Sequence, residues 1–235
     1  MNISTVAVTA ALMAAFAQAA PQEYDLRFKP TKGTETFYSL RFLIEGVAEK
    51  TVYSALLTNE IVDVREDGSY ITASYQTEHK LTIDGEDKTS NAETITAVTT
   101  YDRLGRPIAI GGDEATPESF RVANLTSFLA PSSPVSVGGT WSVTVPANLV
   151  YDTRAVKHDY KLVGFETVVG RRAAVVEVAA AEEGGGRFTA STKGRVWVDA
   201  ENGETLKYDV TVSNMPIGDA AVSGSVLIEK KAAGS

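Results

Sequence analysis

Two histidines, His79 and His158, and 30 acidic residues are the side chains best suited to proton transfer or metal binding. Two imidazoles do not make a metal site without a third ligand. Each histidine therefore reads as an ordinary surface or cross-strand residue. No Gly-x-Ser-x-Gly elbow occurs among the serines. Asp84-Gly85-Glu86-Asp87 and Gly112-Asp113-Glu114 are acidic turns without the spacing of an EF-hand loop. Gly184-Gly185-Gly186 leads into a strand pattern and not a helix, so it is a turn and not a phosphate cradle. Arg171-Arg172 after Gly170 fits a solvated hairpin tip. Carboxylate pairs of the glycosidase kind exist by number alone, and nothing singles one out. The chain has no cysteine, which removes disulfides, thiolate metal sites, cysteine nucleophiles and a lipid-modified amino-terminal cysteine. The sequence names no catalytic residue, no metal and no cofactor, and we expect a non-enzyme.

Composition is that of a globular chain: 43% hydrophobic and 22% charged over 235 residues. The net charge is −8, with no basic patch, so nucleic acid and anionic membrane surfaces are poor partners. Residues 1–19 read as a secretory signal peptide. Val6 to Ala17 is an apolar run, and Ala17-Gln18-Ala19 is a small-x-small cleavage site. That run is too short to span a bilayer, and no later segment is long and apolar enough. The expectation is an exported bacterial protein, periplasmic or secreted, and not an integral membrane protein.

The elements that follow are mostly strands. Glu23 to Lys29 alternates and predicts a first strand. Tyr38, Leu40, Phe42 and Ile44 share a face, with Ser39 and Arg41 opposite. Thr51 to Val64 is a long strand that stops at Glu66-Asp67-Gly68. Ser69 to Ile83 continues, with Ile71, Ala73, Tyr75, Leu81 and Ile83 on one face. Ala92 to Tyr101 is a threonine-rich strand. One helix, about 116–129, interrupts them: Thr116 caps it, Pro117 takes its first position, and Val122, Leu125, Phe128 and Leu129 form its stripe. Gly138-Gly139-Thr140-Trp141 opens a second set of strands. The clearest hairpin runs from Gly194 to Asp199, through Asn202-Gly203, to Thr205–Val210. Leu206, Tyr208, Val210 and Val212 make its apolar face, and Trp197 falls opposite Val196 and Val198. Lys230 to Ser235 reads as a frayed tail.

The fold class is mainly β: a large curved antiparallel sheet, an open or half barrel, with one helix packed on it. Residues 20–114 form a first meander, 115–134 the helix and a Pro-rich connection, and 135–235 a second meander, the halves making one unit. Residues 33–110 and 139–212 read as two copies. Thr34 and Thr140 precede aromatic strands, and Asp102 and Asp199 open similar turns. The alternative is that antiparallel meanders resemble one another without common origin.

Leu162-x-Gly164-x-Glu166-x-Val168-x-Gly170-Arg171-x-Ala173, then Val196-Trp197-Val198-Asp199, Gly203 and Leu206-Lys207, resembles periplasmic lipoprotein carriers of the LolA/LolB type and uncharacterised exported β-rich families. The related lipoprotein-sensing domain of an envelope-stress regulator is similar. The resemblance implies a half-barrel with helix in its concavity that holds an acyl chain or a partner's hydrophobic segment. Three functional readings stand in order: a non-enzymatic binder of a lipid or other hydrophobic ligand between sheet and helix, an envelope structural or interaction protein with a protein partner, and a hydrolase with an unrecognised site. The groove of the first would be lined by Tyr38, Phe42, Tyr75, Leu125, Phe128, Trp197 and Tyr208.

Overall fold

The computed structural model describes residues 22–45, 50–89, 94–112, 115–184, 189–217 and 220–232. The signal-peptide expectation lies outside them. Fourteen strands and one helix follow in order: β1 (Glu23–Tyr24), β2 (Glu35–Glu45), β3 (Thr51–Val64), β4 (Tyr70–Ile83), β5 (Glu86–Asp87), β6 (Ile95–Tyr101), β7 (Pro107–Gly112), α1 (Pro117–Thr126), β8 (Val135–Ser136), β9 (Thr140–Val145), β10 (Val156–Val168), β11 (Arg171–Glu182), β12 (Ser191–Asp199), β13 (Thr205–Ile217) and β14 (Ala220–Lys230). β1 and β8 pair with each other. The rest form a 12-stranded antiparallel sheet of order β7-β6-β4-β3-β2-β14-β13-β12-β11-β10-β9, with β5 on β4. The described residues adopt the expected mainly β fold with a single helix.

That order has a simple path. The chain enters the sheet at its middle, meanders out to the β7 edge, crosses through α1 to the β9 edge, and meanders back until β14 pairs with β2. The helix is the connection between two open edges, so the sheet is not closed into a barrel. α1 packs on β11, β12 and β13 and also on β7. Strands sit about 4.8 Å apart, so in a flat sheet β7 and β13 would be roughly 29 Å from each other. A helix about 10 Å across touches both only if the sheet curls round it.

Local chemistry fixes the helix. Thr116 Oγ1 accepts the Ser119 N–H at 3.1 Å, Pro117 needs no donor, and Glu118 lies in the first turn. It stops at Thr126, three residues short of the expected end. Leu129 N–H donates to the Tyr160 hydroxyl (3.1 Å) and Ala130 N–H to the Leu104 carbonyl (2.9 Å), so residues 127–130 extend to reach tertiary partners.

Several strand expectations are corrected. Only Glu23–Tyr24 of the first predicted strand pairs, and Lys29 N–H instead donates to the Asn202 carbonyl (2.8 Å). At Glu78 (φ 53°) β4 carries an extra residue against β3, which flips the alternation. Tyr75 therefore stands with Thr58 and Phe37, on the face opposite Tyr38 and Phe42, whereas Leu81 faces Tyr53 on their side. A second irregularity, between Trp197 and Val198, sends Leu206 to the outer face, where it packs with Ala173, Val175 and Trp197. Lys230 is no tail: it ends β14, and its Nζ is 2.5 Å from Glu204 Oε1.

Candidate functional site

The inner face, toward α1, changes character across the sheet. On β10 to β13 it is sealed. Tyr208, Val196, Val176 and Leu162 form one row across four strands, and Val210, Gly194, Val178 and Tyr160 the next. Apart from Gly194, which presents no side chain, these residues are at most 4% exposed and pack with Leu125 and Leu129 into the main core. On β2, β3 and β14 the same face continues as a partly exposed wall. Leu40, Ile44, Tyr53, Leu57, Val226 and Ile228 retain solvent contact, although Ile44, Tyr53, Val226 and Ile228 also touch the main core. Register carries the wall across the seam: Leu40 faces Ile228, and Phe42 faces Val226 on one side and Tyr53 on the other.

One corner of the wall is polar. The Tyr53 hydroxyl donates to Gln76 Oε1 (3.1 Å) and lies 2.6 Å from His79 Nδ1. The Glu78 irregularity brings His79 to this corner, opposite Ala55. His79 Nε2 is shielded from solvent and has no hydrogen-bond partner among the described residues.

Beneath α1 runs a second polar strip. His158 and Asn124 are wholly buried. His158 Nδ1 is 3.1 Å from the Tyr160 hydroxyl, and Thr192 Oγ1 donates to the Leu125 carbonyl at 3.0 Å. Both amide atoms of Asn124, His158 Nε2 and the Tyr208 hydroxyl meet no partner at hydrogen-bonding geometry among the described residues. Burial pulls His158 down to about 4, opposed more weakly by the Asn124 backbone and the Asp159 carboxylate, so the ring is neutral at pH 7. At one end of the strip Arg121 forms a bidentate pair with Glu182, whose Oε2 also accepts the Ala190 N–H at 2.9 Å. Burial pushes Glu182 up, and Arg121, Ala190 and Arg154 outweigh it, leaving the carboxyl below its ordinary value.

The opposite end holds a satisfied ion network. Arg171 Nε is 2.5 Å from Asp199 and its Nη1 donates to Glu204 Oε2 at 2.7 Å. Lys230 holds Glu204 Oε1, which also accepts from the Tyr38 hydroxyl (3.1 Å). Burial and the Glu204 charge push Tyr38 above the usual tyrosine range, so it remains a donor. Every member has a partner, which is the signature of a structural network.

The proposed lining residues separate accordingly. Phe42, Leu125, Phe128 and Tyr208 meet in or against the main core, and Tyr38 belongs to the ion network. Tyr75 and Trp197 lie on the other face. Trp197 Nε1 donates to Glu166 Oε2 (2.7 Å) with Lys207 Nζ 5.1 Å above its ring, so it packs an outer satellite cluster. The wall residues Leu40, Ile44 and Leu57 and the corner Tyr53, Gln76 and His79 were absent from the lining set. Leu40 and Ile44 were legible on the face of Tyr38 and Phe42; the corner was not, because only the irregularity assembles it.

The outer face offers an open hollow of about 710 Å³ across β9 to β12. Its Lys161, Glu177 and Arg195 continue to Asp209 as a cross-strand ladder of alternating charge, a solvated arrangement that satisfies itself. Among the described residues no cluster of three metal-ligating side chains exists, and no helix is long and apolar enough to cross a membrane. No family model matches the chain, and comparison with curated proteins and with solved structures yields no match.

Proposed function

We propose that the protein is an exported, non-enzymatic binder of a hydrophobic ligand, a lipid or acyl chain, held on the inner wall between the sheet and α1. One observation supports it most: the inner face is largely apolar, sealed on β10 to β13 and partly exposed on β2, β3 and β14. Partly exposed leucine and isoleucine in a curled sheet lose water when an acyl chain covers them, at about 25 cal/mol per Å². The neutral His158 and the saturated Arg171–Glu204 network add no free charge to this wall, which suits an apolar guest.

Native mass spectrometry of the purified protein, with solvent extraction, tests the proposal. The expected result is a co-purifying apolar adduct, lost in Leu40→Glu and Ile44→Lys and retained in Lys161→Ala on the outer face. An adduct-free mass with no uptake of fatty acid or detergent overturns it.

A second reading, contact with an envelope protein, has its own support. Leu149 and Val150 are 93% and 86% exposed at the tip of a turn braced by Asn148 and Thr153 and by Tyr151, which stacks on Phe120. Exposed apolar pairs on an ordered turn suit a protein contact. Crosslinking in cells that traps a partner with wild type and not with Leu149→Ser/Val150→Ser would favour it.

A further inference from the structure

The polar corner of the wall has a chemistry of its own. Tyr53 has one hydroxyl proton, and it is given to Gln76 Oε1. At 2.6 Å from His79 Nδ1, the Tyr53 oxygen then accepts the Nδ1–H. This assigns the neutral ring its tautomer: Nδ1 carries the proton and Nε2 the lone pair. Nε2 is the one ring atom with nothing to bond among the described residues. A buried, unmet acceptor is costly in the free protein and becomes a recognition element when a ligand donates to it.

We propose that His79 receives the carboxyl head of a long-chain monocarboxylic acid whose acyl chain lies along Leu40, Ile44, Leu57 and Ile228. The inference rests on the apolar-ligand reading above and names its ligand class. The acid O–H proton passes to Nε2, no covalent bond forms, and the carboxylate oxygen then accepts the Nε2–H. If the ligand arrives as carboxylate, the ring takes up that proton from hydronium or buffer acid in the solvent, whose conjugate base stays in bulk. The resulting imidazolium has both N–H groups engaged, Nε2–H with the ligand and Nδ1–H with the Tyr53 oxygen, and Gln76 fixes that oxygen. An ester or a hydrocarbon end cannot supply the proton. Nε2 is shielded in the free protein, so binding has to uncover it, at a cost that the charge-assisted bond offsets.

The test titrates the purified wild-type protein, His79→Phe and Tyr53→Phe with oleic acid and with methyl oleate by calorimetry. Ring ¹⁵N resonances of the two histidines are recorded in parallel. Wild type is expected to bind the acid about tenfold or more tighter than the ester. The two lipids should bind alike in His79→Phe. The His79 ring should become doubly protonated with the acid and keep one proton with the ester. Equal affinity of wild type for acid and ester, with His79 unchanged, overturns the carboxyl assignment and leaves the apolar wall standing. Failure of both lipids to bind overturns the wall reading and the assignment together. If His79→Phe does not fold, the acid–ester comparison and the wild-type spectra still decide.

Discussion

At the scale of single residues, three buried groups set measurable stability terms. His158 titrates near 4 in the fold and near 6.5 when unfolded, so between those values the unfolded chain binds more protons. Stability is therefore unaffected by this group above about pH 6.5 and falls as pH drops toward 4, by about 3 kcal/mol in all. Urea midpoints measured from pH 7.5 to 4 should show this slope, and His158→Phe should flatten it. Asn124 places an amide with no partner at hydrogen-bonding geometry among the described residues under α1. Asn124→Leu removes that demand and is expected to stabilise by about 1 kcal/mol, read as a rise of about 2–4 °C in Tm. Glu204 is different because it is fully engaged by Arg171, Lys230 and Tyr38. Glu204→Ala strands Lys230, while Arg171 keeps Asp199, and is expected to cost about 3 kcal/mol in chemical denaturation.

At the scale of elements, two turns are built alike and clasped alike. Asp102 Oδ1 accepts the Leu104 and Arg106 N–H groups, and Asp199 Oδ1 accepts those of Glu201 and Asn202. Gly105 N–H then bonds the Asp102 carbonyl and Gly203 N–H the Asp199 carbonyl, both near 3.0 Å. The carbonyl just before each glycine accepts an N–H from the residue preceding a proline: Leu104 from Ala130, and Asn202 from Lys29. Each half thus docks its lead-in segment on the other half's hairpin. Both glycines have positive φ, and a Cβ on Gly203 would lie 2.2 Å from the Arg27 carbonyl oxygen. Gly170 has a similar φ with open space around it. Gly170→Ala is expected to cost about 1–2 kcal/mol of left-handed strain. Gly203→Ala adds the clash and should cost roughly 3 kcal/mol or more, with faster proteolysis near Arg27 as its distinguishing sign. The similar Asp102 and Asp199 turns and the single helix were legible in the sequence, because capping residues and Asp/Gly turns act locally. The faces of Tyr75 and Leu206 were not, since strand irregularities at Glu78 and near Val198 invert alternation without a local signature. The missing strand at 25–30 has the same origin: alternation cannot show that an extended segment will dock on a turn instead of a neighbouring strand.

At the scale of the molecule, the path of the chain decides where stability and access reside. β2 and β14 meet at the centre of the sheet, so the first and last long strands complete it, while α1 spans the gap between the edges. The side of the sheet that α1 covers is tightly packed, from Val156 to Met215, and the wall on β2 to β4 has few wholly buried side chains. Opening free energy follows buried apolar contact. Amide exchange in the free protein should therefore be slowest in β10 to β13, with β3 and β4 among the faster long strands. A ligand on the wall buries Leu40, Ile44 and Leu57, and it stabilises only what it covers, by RT ln(1 + [L]/Kd). Added oleic acid should then slow exchange in β2 to β4 and leave β10 to β13 unchanged. Uniform slowing across the sheet would place the ligand elsewhere, and slowing confined to β10 to β13 would place it beneath α1, among Asn124, His158 and Tyr208.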